Sequence, residues 1–289
     1  MKSLIVTADD FGLHAAVNEA IERAHREGVL TSASLMVGAG AAGDAVRRAR
    51  TLPQLAVGLH VVLADGQAVL PPRRIPALVD DSGRFADRMS RDGVRFFALP
   101  RVRRQLEAEI RAQFAAFAAT GLALDHVNAH KHFHLHPTVL SMLLAIGAEY
   151  GRPPVRWPRE PRWAARRPGE RLAGALLGPW LALMRARLRA AGIACNDQIF
   201  GLTGTGAMDE PRLLEILARL PEGLTEIYLH PAMHDGLTAT MGAYRHRDEF
   251  DALRSARVRA AIDASGATTG GFRALSTARA ALAPGRSLA

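Results

Sequence analysis

The chain has 289 residues, 48% of them hydrophobic and 22% charged, enough for one large α/β domain or two small ones with a sizeable core. Its single cysteine, Cys195, excludes an intrachain disulfide and a cysteine-rich metal site, and a reducing cytosol is the default compartment. The net charge of +9 comes with only 6% aromatic residues and with no RNP, zinc-finger or helix-turn-helix pattern, which argues against nucleic acid as a partner.

In chain order, Leu4-Ile-Val-Thr-Ala8 predicts a short strand that stops at Asp9 and Asp10. Val17 to Glu27 has helical spacing, with Gly28 at its stop. Ser32 to Val37 predicts a second strand, Ala41 to Arg50 a helix and Ala56 to Val61 a third strand. Residues 64–100 break this rhythm with Pro71-Pro72, Pro76, Asp80-Asp81-Ser-Gly83 and Pro100. A loop that long within a domain is usually a lid or a substrate wall. Val102 to Ala119 predicts a helix, Leu122 to Ala129 a strand, Thr138 to Tyr150 a helix and Pro153 to Pro158 a strand end. Pro211 to Leu220 predicts a helix with proline in its first turn, Thr225 to Leu229 a strand and Asp248 to Ile262 a helix. The βα series predicts a single α/β domain, an irregular (β/α) barrel of seven or eight units. Residues 64–100 and 160–206 are then insertions that line the substrate pocket.

The stretch Leu172 to Met184 is almost wholly apolar and flanked by arginines. It reads either as a buried helix with snorkelling arginines or as an interfacial element that meets lipid. No segment reaches the roughly 18 to 20 apolar residues that span a bilayer. The N-terminal apolar run is too short for a signal-peptide core. The expectation is a soluble cytoplasmic protein, at most peripheral on a membrane.

Five of the eleven histidines fall between His126 and His136: His126, His130, His132, His134 and His136. They share strand parity, but eleven extended residues would span roughly 35 Å, so only the first part of the run can be strand. In a parallel barrel, catalytic groups sit where strands end. Asp9-Asp10, His60, His130 and His230 all meet that condition. Each also has a plainer reading: a helix N-cap pair for the aspartates, a core histidine for His60, a solvated loop for the histidine run with His130, a strand terminus for His230. His14, His25, His234 and His246 read as surface residues, and Arg156 and Arg159 as substrate wall. Two histidines and one carboxylate can hold a catalytic metal with open positions. A second carboxylate can then take a proton from the bound water. Asp9 and Asp10 should divide those roles, and the residues alone leave open which does which.

Taken together, Thr7-Ala-Asp-Asp-Phe-Gly12, Gly58-Leu-His60, His130-Lys-His-Phe-His134 and Tyr228-Leu-His-Pro231 resemble the YdjC-like carbohydrate deacetylases of the chitooligosaccharide-deacetylase type. The resemblance runs from Lys2 to at least Leu253. It implies a barrel of the glycoside hydrolase/deacetylase type and removal of N-acetyl groups from sugars with a divalent metal. By the same resemblance Asp10, His60 and His130 hold the metal, Asp9 is the general base and His230 the acid. The ligand set suits Zn2+ by softness, while the resemblance points to Mg2+. Chitooligosaccharide-type members carry Asp-Ser-His-His-His-Val-His where this chain has Asn128-Ala-His-Lys-His-Phe-His134. That variant, with Leu70-Pro-Pro72 and Phe96 to Arg104, is similar to the branch associated with hopanoid biosynthesis. The implied substrate is N-acetylglucosaminyl-bacteriohopanetetrol, a glycolipid that the Leu172 to Met184 stretch would meet at an anionic inner membrane. The alternatives are soluble chitooligosaccharides as substrate, or a non-catalytic glycolipid-binding protein.

Overall fold

A computed structural model describes residues 1–282. Six parallel strands form a curled sheet in the order β4-β3-β2-β1-β6-β5: β1 (Lys2–Phe11), β2 (Ser32–Leu35), β3 (Ala56–Val61), β4 (Val127–Ala129), β5 (Gln198–Phe200) and β6 (Gly223–Leu229). A two-residue strand, β7 (Thr268–Thr269), pairs with the start of β1. Nearly every residue of the central strands is buried. Helices cover the outer face and the barrel interior covers the other, so the polar residues on these strands, among them Ser32, Ser34, Thr225 and Glu226, are buried as well. The connecting helices are α1 (Ala15–Glu27), α2 (Ala42–Arg50), α3 (Met89–Ala98), α4 (Pro100–Ala119), α5 (Pro137–Glu149), α6 (Pro168–Ala190), α7 (Glu210–Leu217), α8 (His246–Arg254), α9 (Ala256–Ser265) and α10 (Phe272–Leu282).

Strand β4 is shorter than the predicted Leu122 to Ala129. Residues before Val127 still bond to β3, through Asp125 N–H to Val57 O and Leu59 N–H to His126 O, but do not form a regular ladder. Between β4 and β5 the sheet is completed irregularly by residues 153–159. Val127 N–H donates to Pro154 O at 2.8 Å and Arg156 N–H to Val127 O at 3.1 Å. On the other side Val155 N–H donates to Ala194 O, and Ile199 N–H to Arg159 O, both at 3.0 Å. Pro153, Pro154 and Pro158 have no N–H to give, so a full ladder cannot form here. The Asn196 side chain substitutes for a strand, accepting from Trp157 N–H and donating to Trp157 O.

Helix α6 departs from the buried-helix reading. Leu181, Met184 and Leu188 are buried in a cluster with Leu140, Val155 and Trp157, spaced to lie on one face. Leu172, Leu176, Leu177 and Leu183 are instead exposed. Among the described residues no helix is long and apolar enough to cross a membrane.

Candidate functional site

The site gathers at the C-terminal ends of β1, β3, β4 and β6. Asp9 and Asp10 lie inside β1, and the cap of α1 is His14, whose Nδ1 accepts from Ala16 N–H. The N-cap reading of the two aspartates is therefore wrong. The register of β1 against β2 shifts between Ala8 and Phe11, and Asp10 has φ 63°. A non-glycine residue in the left-handed region costs of order 1–3 kcal/mol and is typical of functional sites. The kink turns the two neighbouring carboxylates to different partners.

Asp10 Oδ1 lies 3.3 Å from His60 Nε2 and 3.1 Å from His130 Nδ1. One ligand atom from each of these three buried residues falls within 4.8 Å of the others. His60 Nδ1–H donates to Asn128 Oδ1 at 2.6 Å, which leaves the Nε2 lone pair facing Asp10, the tautomer a metal ligand needs. Asp10 Oδ2 is buried with no hydrogen-bond partner. A buried carboxylate oxygen without a donor is costly, and a cation between it and the two imidazoles would satisfy it. The group therefore fits a divalent metal.

Asp9 is held differently. Arg156 Nη1 and Nη2 donate to its two oxygens at 2.6 and 2.9 Å, and Asn128 Nδ2 donates to Oδ1 at 3.2 Å. The same guanidinium donates to Glu226 at 2.7 to 3.1 Å and lies over the Tyr228 ring, 4.7 Å from its centroid. Asp9, Arg156 and Glu226 are all buried. Burial by itself would raise the Asp9 carboxyl, but Arg156, together with His60 and His230, outweighs it and holds the group well below the usual carboxylate range. The reading of Arg156 as substrate wall is corrected: it is a sealed ion-pair partner of Asp9. Arg159 is exposed and sits over Trp157.

Asn128 is satisfied on every side, since Nδ2 also donates to Ser34 Oγ at 2.9 Å. An aspartate there could not donate to Asp9. Ser34 Oγ lies 3.0 Å from His126 Nε2, and His126 Nδ1 lies 3.0 Å from Asp125 Oδ2. Asp125 accepts the first two N–H groups of α10, from Phe272 and Arg273. A polar relay thus runs from the site through the barrel to the last helix. It explains Gly58: a Cβ there would sit 2.4 Å from the His126 ring.

The rest of the histidine run is not extended. His130 to Leu135 forms a 3-10 segment in which Lys131 and His132 have φ near 50°. His132 Nε2 lies 3.0 Å from Tyr228 Oη, which pairs with Thr205. Burial, and then Arg156, push the His132 ring down to about 3. His134 is buried with neither ring nitrogen partnered. His136 caps α5 by accepting from Thr138 N–H.

His230 follows β6, next to β1. Burial lowers its ring pKa, while the Asp10 and Asp9 charges oppose that shift. Its backbone is clamped by two side chains of α8. Glu249 accepts from His230 N–H at 2.5 Å, and His246 Nδ1 lies 2.6 Å from His230 O. His246 is therefore a buried supporting residue, not the surface residue its sequence suggested. The other three histidines read as surface are not drawn into the site: His14 and His234 are exposed, and half-buried His25 bonds to Leu30 O. Sequence reasoning missed Glu226 and Glu249. The one signal for Glu226 was a charge inside an otherwise apolar strand.

Comparisons with known proteins agree with this geometry. A chitooligosaccharide deacetylase of Serratia marcescens is 31% identical over 281 residues, 95% of this chain and 99% of the relative. A carbohydrate deacetylase of Thermoanaerobacter pseudethanolicus is 26% identical, covering 87% of this chain and 89% of its own. A carbohydrate deacetylase of Brevibacillus brevis is 44% identical, but over only 54% of this chain and 59% of its own length. Among solved structures, a crystal structure from Enterococcus faecalis V583, described as a candidate cellobiose-phosphate cleavage protein, superposes with a TM-score of 0.75 at 26% identity. That match covers 95% of this chain and 99% of the other. The model of the YdjC-like protein family matches residues 3–264, and the chain belongs to that family.

Proposed function

We propose that the chain is a metal-dependent carbohydrate N-deacetylase. The observation that carries the reading is the buried Asp10–His60–His130 group beside a second, separately held carboxylate. The names of the relatives support it. A divalent ion, magnesium or zinc, held by Asp10, His60 and His130 would polarise the acetyl carbonyl and acidify a water. Asp9 would take a proton from the attacking water. Arg156 keeps Asp9 ionised and aimed, and Asn128 fixes both Asp9 and the His60 tautomer. His230 protonates the leaving amine, without which the C–N bond breaks poorly.

The substrate we favour is an N-acetylglucosaminyl lipid of the hopanoid type, met from the cytoplasmic side by an enzyme peripheral on the inner membrane. Residues 64–100 and 160–206 would line the pocket. In support, Lys131 Nζ pairs with Asp65 at 3.1 Å and Asp87 at 2.8 Å, tying the first segment to the metal-binding loop. Thr205 Oγ1 meets Tyr228 in the second. The exposed leucines of α6 supply apolar surface for a lipid tail. The Serratia relative favours soluble chitooligosaccharides as the second reading.

Acetate release separates these readings. The purified chain is assayed on the glycosylated hopanoid and on N-acetylated chitooligosaccharides, with metal content measured in parallel. Asp9→Asn should abolish release while bound metal persists, and Asp10→Asn should lose both. Turnover by Asp9→Asn would overturn the base assignment. Release from chitooligosaccharide alone would overturn the lipid substrate.

A further inference from the structure

We infer that α3 and α6 together form a face that docks on an anionic lipid bilayer around the mouth of the site. The inference rests on the proposed reading only for its purpose, since the surface exists whatever the reaction.

Both helices are anchored on the loop that follows His130. Phe96 of α3 packs against Phe133 at a centroid distance of 5.4 Å, and His136 Nε2 meets Gly93 O at 2.9 Å. Trp180 Nε1–H of α6 donates to Leu135 O at 2.8 Å. The two helices therefore flank one point, one turn of chain from a metal-ligand candidate. Their outward faces are apolar. On α6, Leu172 and Leu176 are 61% and 74% exposed. At 3.6 residues per turn, Leu172, Leu176 and Leu183 fall within about 40° of one another, roughly opposite buried Leu181 and Leu188. On α3, Val94 and Phe97 are 68% and 67% exposed. A surface helix ordinarily turns such a stripe inward, and exposed patches of this kind mark interaction sites.

The charge around these faces selects the occupant. Arg88, Arg91 and Arg101 flank the α3 patch, and Arg167, Arg171 and Arg187 flank the α6 stripe. None of the six forms an ion pair among the described residues. Leucine and phenylalanine bordered by unpaired guanidinium groups fit an acyl boundary beneath anionic head groups. A second copy of this chain would bring the same positive charge to the contact.

The test is co-sedimentation of the full chain with vesicles of phosphatidylcholine alone and with added phosphatidylglycerol, at low and high salt. Binding should need the anionic lipid and weaken with salt. It should fall at least tenfold in Leu176→Glu/Leu183→Glu and in Phe97→Glu, while melting temperatures stay unchanged. No binding to anionic vesicles, equal binding to both compositions, or concentration-dependent dimerisation lost in the same variants would overturn the inference. Vesicle binding without acetate release from any sugar would sink the proposed reaction and leave the docking face standing.

Discussion

Arg156 serves two carboxylates with one guanidinium, and both are out of reach of water. Removing the cation leaves two buried acids close together, a change that typically costs about 3–5 kcal/mol. Arg156→Met, matched in bulk, should therefore lower the melting temperature sharply and silence acetate release. Arg156→Lys keeps the charge but not the planar fork, so it should melt between the two. A stable, active Met variant would show that Asp9 is not held by this pair. The role of Arg156 was not legible in the sequence because its partners lie 147 and 70 residues away. Asp9, Asp10, His60 and His130 were legible because each is a polar residue at or just beyond the C-terminal end of a largely apolar strand. Glu249 and His246 lay beyond that logic: they act on the backbone of His230, and nothing local marks them.

At the scale of the element, strand ends carry the chemistry and glycine sets the spacing behind them. Gly58 in β3 is packed against the His126 ring, where a methyl would intrude to 2.4 Å. Gly58→Ala must push either β3 or the His126–Ser34–Asn128 relay aside. Overpacking of this kind costs about 1–3 kcal/mol. Because the relay ends on His60 and Asp9, activity should fall further than stability alone explains. Thermal melts and acetate release measured together check this, and wild-type activity in a destabilised variant would detach the relay from the site. Strands β1, β3 and β6 were readable because burial on both faces leaves short, mostly apolar runs such as Leu4-Ile-Val6 and Ile227-Tyr-Leu229. The segment 153–159 was readable only as a strand end, since three prolines hide its pairing. That the run leaves the strand was legible from its length, but its 3-10 form was not, because nothing in the alternating histidines marks the left-handed backbone of Lys131 and His132.

For the whole molecule, one buried acid should shape the dependence of stability on pH. Burial raises the Glu249 carboxyl from 4.5 to about 7, against the pull of the Met208 and His230 N–H groups. The folded state then binds a proton that the unfolded chain releases above 4.5. This contribution is fully present below that value and is lost as pH rises through 7, a total on the order of 3 kcal/mol. Glu249→Gln should remove the decline. Denaturant midpoints of both proteins from pH 4 to 8 test it, and a constant difference across the range would show that Glu249 stays ionised throughout.

The seam at residues 153–159 both closes the barrel and delivers Arg156 to Asp9 and Glu226. During synthesis Asp9 emerges first, its guanidinium partner 147 residues later and Glu226 a further 70 after that. Contacts so distant in sequence assemble late and slowly. A ribosome must therefore finish β6 before the ionic knot can tie, and a product terminated before Glu226 leaves Arg156 with Asp9 as its one carboxylate partner.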